Sequence, residues 1–180
     1  GKGEGEETLK ELAHALENGL PFDDIKGLYW KNENGEVITN EARPLMEALD
    51  ELPFIDRDVV EHQHSKIDYL PLLMGRGCPY KCTYCFNHAY NKLTKGTGDM
   101  MRYRSVSSIL REIKEVKDNY FIDRVLIDDD IFLLKPKGWL EEFAEKYPKE
   151  IGIPLYCNVR PETVNEKTGF LLKKMNVKED

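Results

Sequence analysis

Three of the four cysteines in this chain fall in the run Cys78-Pro79-Tyr80-Lys81-Cys82-Thr83-Tyr84-Cys85, at intervals of four and then three residues. Thiolates are soft ligands that suit zinc and iron–sulfur clusters. A structural zinc site closes with four ligands, usually two separated pairs, and the only other cysteine, Cys157, lies far along the chain. Ferredoxin-type clusters take four cysteines at other spacings. Three thiolates with one vacant position therefore suit a cluster whose open iron takes a reacting ligand. His88, three residues after Cys85, keeps a Cys3His zinc knuckle as the competing reading.

Such a loop needs a scaffold, and 180 residues, 41% of them hydrophobic, bury one core of ordinary size. A net charge of −7 argues against a nucleic-acid surface, which needs a basic face. No apolar run approaches the roughly 20 residues that span a bilayer. The opening residues are polar and acidic, unlike a secretory leader. Crowded thiols suit a reducing compartment, so a cytoplasmic location is expected. The ends read as cut, as in a segment of a longer protein.

Strand and helix patterns alternate. Thr8 with Glu11 has the form of a capping box, ahead of a helix with Leu9, Leu12, Ala13 and Leu16 on one face. Asn34-Gly35 joins two short strands as a hairpin. Residues 41–66 read as a connector too apolar to be a loose linker. Asp68 to Met74 reads as a strand entering the cysteine loop. Ser105 is a candidate N-cap for a helix burying Val106, Ile109, Leu110, Ile113 and Val116. Arg124 to Ile127 reads as a buried strand ending in Asp128-Asp129-Asp130. A helix carrying Trp139, Leu140, Phe143, Ala144 and Tyr147 follows, then a strand over 153–159 and a helix with Val164, Leu171, Leu172 and Met175. This rhythm implies an α/β fold of parallel strands with crossover helices. In such folds the site gathers at the carboxyl ends of strands, where the cysteine loop, the acidic run and Asn158-Val159-Arg160 all fall. Arg102 and Arg104 serve surface solubility, Cys157 is a small buried residue, and His62 and His64 lie on a polar connector. Gly3 and Gly5 form a bare Gly-x-Gly, and Tyr29, Trp30, Trp139 and Tyr147 belong to the core.

The cysteine run, with Tyr84 just before the last cysteine, resembles the cluster motif of the radical S-adenosylmethionine superfamily. Gly77-Cys78-Pro79, Arg102-Tyr103-Arg104-Ser105-Val106, Asp129-Asp130-Ile131-Phe132 and Cys157-Asn158-Val159-Arg160-Pro161 resemble its cobalamin-binding branch. Gly3 to Leu9, Ile25 to Leu28, Asn40 to Pro44 and Leu49 to Pro53 are similar to the end of a cobalamin-binding domain and its connector. The resemblance divides the chain into 1–40 (remnant of a cobalamin-binding-like domain), 41–66 (connector) and 67–180 (the first three βα units of a truncated partial TIM barrel).

By that resemblance Cys78, Cys82 and Cys85 hold a 4Fe–4S cluster whose open iron is chelated by S-adenosylmethionine. One electron then releases a 5′-deoxyadenosyl radical, and cobalamin supplies a methyl group for transfer to carbon. Tyr84 is expected near the adenine and Asp129 or Asp130 at the amino group, the acidic run reading otherwise as a solvated turn. Apart from the resemblance, Arg160 reads either as a partner for the cofactor's carboxylate or as half of a structural salt bridge. The branch's Asp-x-His-x-x-Gly cobalamin loop is absent from these residues. The alternatives are a cobalamin-independent radical enzyme, for instance of the sulfur-inserting, methylthiotransferase-like kind, and a non-catalytic metal or redox module. An electron donor such as flavodoxin or ferredoxin is the expected partner. The substrate stays open among lipid, tetrapyrrole, peptide and small metabolite.

Overall fold

The computed structural model describes residues 2–61 and 66–178; His62 and His64 lie outside them. The chain begins with α1 (Glu6–Glu17), β1 (Tyr29–Lys31) and β2 (Val37–Thr39), followed by α2 (Asp58–Glu61). Next come β3 (Lys66–Ile67), β4 (Leu70–Leu72), β5 (Gly75–Arg76), α3 (Asn87–Leu93) and β6 (Arg102–Tyr103). It continues through α4 (Val106–Asn119), β7 (Phe121–Ile122), β8 (Val125–Ile127), α5 (Trp139–Glu150), β9 (Leu155–Cys157) and α6 (Glu166–Lys174). Contacts divide it into two units. The first holds residues through Glu47 together with Pro79–Met100, and the second holds Ala48–Cys78 with Met101 onward. Part of the expected connector thus packs with the barrel strands, and most of the cysteine loop packs with the N-terminal segment.

In the first unit β1 and β2 form the expected antiparallel hairpin, with Trp30 opposite Ile38. Gly35 turns it at φ +80°, a conformation that suits glycine. Helix α1 starts earlier than the capping-box reading has it. Its N-cap is Gly5, and Thr8, inside the helix and buried, donates its hydroxyl to the Lys26 carbonyl at 2.9 Å. A Cβ on Gly27 would come within 2.8 Å of that hydroxyl oxygen, so the close approach requires glycine. The helix therefore buries Thr8 and Ala15, and leaves Leu9 and Leu16 exposed. Arg43 grips Glu11 through both terminal nitrogens, at 2.5 and 3.2 Å. Tyr29, read as core, is exposed, because a lone hairpin has little to cover its second face.

The second unit is built on a parallel sheet in the order β4-β8-β9, with Leu70 opposite Val125 and Val125 opposite Leu155. Its strands are short apolar runs, as parallel sheets covered on both faces require. Pro71 sits in β4, which is an edge strand of this sheet, where proline is tolerated. Its carbonyl accepts from Arg57 Nη2 at 3.0 Å. Helix α4 buries Val106, Ile109, Leu110, Ile113 and Val116, the full expected stripe. Helix α5 buries Trp139, Leu140, Phe143, Ala144 and Tyr147, with the Trp139 and Phe143 rings stacked at 5.2 Å. Met175 is fully buried just past α6, while Val164 is exposed ahead of it. Among the described residues no helix is long and apolar enough to cross a membrane.

Ser105 caps α4, its Oγ accepting from the Ser108 N–H at 3.1 Å. Asp50 accepts the Ser105 N–H at 2.9 Å. Burial pushes the Asp50 carboxyl up, but hydrogen bonds from Ser105 and Ser108 and the Arg104 charge outweigh it, leaving it below its ordinary value. The Ser105→Ala substitution is expected to cost about 1 kcal/mol, read as a lower midpoint in urea with an unchanged slope.

The surface reading of Arg104 gives way to an interior network. Glu112 lies on the buried side of α4. It accepts from Arg104 at 2.5 Å and faces Arg57 at 3.6 Å. Arg104 also donates to Ser108 Oγ at 3.1 Å. The guanidinium groups of Arg104 and Arg111 each lie 5.5 Å from the Phe54 ring centroid. A buried glutamate fixes these arginines, because an unpaired carboxylate there would be costly. Arg102 is buried as well.

Candidate functional site

The carboxyl ends of the three parallel strands carry a set of polar residues. Beyond β4 the chain passes through Met74 and β5 to Gly77, whose φ of +95° again calls for glycine, and then to Cys78. Beyond β8 come Asp128, Asp129 and Asp130. Beyond β9 comes Asn158, whose carbonyl accepts from the Phe132 N–H at 3.4 Å.

Asp129 organises this end. It is 3% exposed, and its Oδ1 accepts from the N–H groups of Met74 at 2.7 Å and Gly75 at 3.1 Å. Its Oδ2 pairs with Lys135 Nζ, which is itself buried. Of the two aspartates expected at a cofactor amino group, Asp129 is thus engaged inside the unit, while Asp130 is exposed. Lys135 went unnoticed in the sequence; its one signal there is a lone cation closing the apolar run Ile131-Phe132-Leu133-Leu134. Arg160 is half-buried and pairs with Glu162 at 2.6 Å.

The Cys157 thiol is pushed up from 9.0 to about 12, first by burial and then by the Asp129 carboxylate, with Lys135 opposing. A thiol held neutral in the native state favours folding at low pH. That advantage is complete below about 9, shrinks as the unfolded chain ionises, and is gone above about 12. At pH 8 iodoacetamide is accordingly expected to leave Cys157 unmodified in the folded protein and to alkylate it in urea, as mass spectrometry of the peptide would show.

Cys78 closes the first of the second unit's two segments, and Cys82 and Cys85 belong to the first unit. Cys78 is buried, the other two are half-buried, and none is in a disulfide. The Cys85 N–H donates to the Cys82 carbonyl at 3.1 Å, which closes a turn between them. His88 Nδ1 donates to the Cys85 carbonyl at 2.6 Å, so this ring nitrogen serves the loop's own backbone. Tyr84 is 92% exposed and Phe86 is also exposed. Among the described residues no three histidine, cysteine or acidic side chains are gathered so as to hold a metal ion. The donor chemistry fits an iron–sulfur cluster all the same: three thiols in one short loop, none consumed by a disulfide.

The Radical SAM superfamily profile matches residues 72–179, a span that takes in all three loop cysteines. An uncharacterised methyltransferase of Pyrococcus horikoshii is 31% identical over 176 residues, which cover 96% of this chain and 37% of that protein. The radical S-adenosylmethionine methyltransferase TsrM from Kitasatospora setae superposes with a TM-score of 0.70 at 21% identity, over 98% of this chain and 35% of its own. The cobalamin-dependent S-adenosylmethionine radical enzyme OxsB superposes with a TM-score of 0.69 at 24% identity, over 95% and 25%. The chain spans about a third of the length of the curated relatives it matches. The fold is therefore the α/β fold of those enzymes over most of this chain, and the chain belongs to the radical S-adenosylmethionine superfamily.

Proposed function

We propose that this chain forms the cluster-binding part of a cobalamin-dependent radical S-adenosylmethionine enzyme that transfers a methyl group or otherwise modifies a carbon–hydrogen bond. The observation that carries the reading is the superfamily match across Cys78, Cys82 and Cys85, in a loop entered from the end of a parallel strand. A relative described as a methyltransferase and a structural neighbour described as cobalamin-dependent support the finer assignment.

In this reading Cys78, Cys82 and Cys85 hold a 4Fe–4S cluster through their thiolates. The bound cluster and S-adenosylmethionine supply a carbon radical by reductive cleavage, and cobalamin supplies a methyl carrier. The protein's own residues bind and orient. Tyr84, a largely exposed aromatic between two cluster ligands, offers a ring for the adenine. Asp130, exposed beyond β8, offers its carboxylate to the amino group. Arg160, half-buried and paired with Glu162, offers a guanidinium whose planar fork matches the cofactor's carboxylate. Asp129 acts from beneath, through the backbone. A flavodoxin or ferredoxin is the proposed electron donor, and the substrate is a small molecule, lipid, tetrapyrrole or peptide.

The test is anaerobic reconstitution of the full-length protein with iron and sulfide, then reduction and paramagnetic resonance with and without S-adenosylmethionine. About four irons per chain, with a signal that changes when S-adenosylmethionine is added, is the expected result. One tetrahedral zinc and no iron uptake would overturn it in favour of a metal-binding module. A responding cluster in a protein that never retains cobalamin would favour the cobalamin-independent class.

A further inference from the structure

We propose that Asp129 and Lys135 are positioning residues for the cysteine loop: their buried ion pair pins the Met74–Gly75 backbone and so sets the path of Arg76-Gly77-Cys78. The inference rests on the cluster reading of Cys78 given above.

Segment 74–78 has little intrinsic stiffness. Gly75 and Gly77 stand two residues apart, and glycine gains most from backbone freedom. A loop that must present a ligand in one place needs an external hold, and Asp129 supplies it. One carboxylate oxygen accepts both the Met74 and Gly75 N–H groups, a charge-assisted arrangement stronger than a neutral one.

A buried carboxylate needs a counter-charge to keep that role, and Lys135 is built for it. Its side chain is 1% exposed, and its ammonium lies 5.1, 5.4 and 5.8 Å from the ring centroids of Tyr103, Trp139 and Phe132. Three aromatic faces hold a cation that has given up water. A Cβ on Gly75 would come within 3.2 Å of Lys135 Nζ and 2.9 Å of the Arg102 carbonyl. The ammonium thus packs against the very glycine whose N–H Asp129 holds. Indole and phenol rings fix the lysine, the lysine fixes the aspartate, and the aspartate fixes the strand exit three residues before Cys78.

The experiment compares full-length wild type, Lys135→Met and the double variant Asp129→Asn/Lys135→Met. Methionine keeps the apolar stem among the rings. A carboxamide oxygen at position 129 still accepts both backbone N–H groups but carries no charge. In cofactor-free protein, amide hydrogen exchange at Met74 and Gly75 is expected to quicken at least about tenfold in Lys135→Met and to return to within about threefold of wild type in the double variant. After reconstitution, the cluster signal of Lys135→Met is expected to lose its response to S-adenosylmethionine, and the double variant to regain it.

Unchanged exchange and an unchanged response in Lys135→Met overturn the inference. So does a double variant as defective as the single one, since the charge rather than the backbone hold would then matter. If Lys135→Met fails to fold, as judged by circular dichroism, the double variant decides alone: a wild-type response supports the inference and a lost response overturns it. A wild type that takes up no iron overturns the cluster reading and this inference with it, whereas iron uptake with insensitive variants overturns only the inference.

Discussion

Replacing Cys82 with alanine is expected to bring iron in the reconstituted protein from about four atoms per chain to background, and to remove the paramagnetic signal with it. A cluster held by three thiolates has no spare ligand, because Cys157, the one remaining cysteine, is kept as a neutral thiol by burial and by Asp129. The apoprotein should barely notice the change. Cys82 is only half-buried, and truncation there is expected to cost under about 1 kcal/mol. Loss of iron together with an unchanged melt assigns Cys82 as a ligand; a full iron complement in the variant would remove it from the ligand set.

The second large effect is on stability. Glu112→Ala leaves two guanidinium groups in the interior of the second unit without their shared carboxylate. The side chains of Arg104 and Arg57 are only 13% and 10% exposed, so water can restore little. Removing one partner of a buried pair costs about 3–5 kcal/mol, and a loss of at least about 3 kcal/mol in urea unfolding is expected. Being buried, the network should lose little strength in added salt, unlike the exposed Lys146–Glu142 and Lys149–Glu145 pairs along α5. A midpoint within the error of wild type would show that Arg104 and Arg57 find solvent instead.

Short-range patterns were the legible ones. The Ser105 cap, the Ile109–Ile113–Val116 stripe, the aromatic face of α5 and the Asn34-Gly35 turn each depend on residues within a few positions of one another, and the structure has them as the sequence implies. The cysteine spacing is local too, which is why the superfamily could be named from it. The misread residues depend on distant partners. Thr8 has a capping residue's chemistry, but it spends its hydroxyl on Lys26, eighteen positions away. Arg104 looks like a surface cation until Glu112 is seen facing inward. Lys135 is indistinguishable from any other lysine until the β8 end brings it Asp129 and the fold brings three rings around it. Polarity alone says nothing about burial when the compensating charge comes from elsewhere in the fold.

Pro71 has a consequence for the company this sheet can keep. Leu70 and Leu72 turn their backbone groups toward β8, so the residue between them faces outward. That residue has no N–H to offer, and its carbonyl is already taken by Arg57. A stray strand approaching this edge would find no donor at its middle position and an acceptor already engaged by Arg57, which disfavours strand addition there.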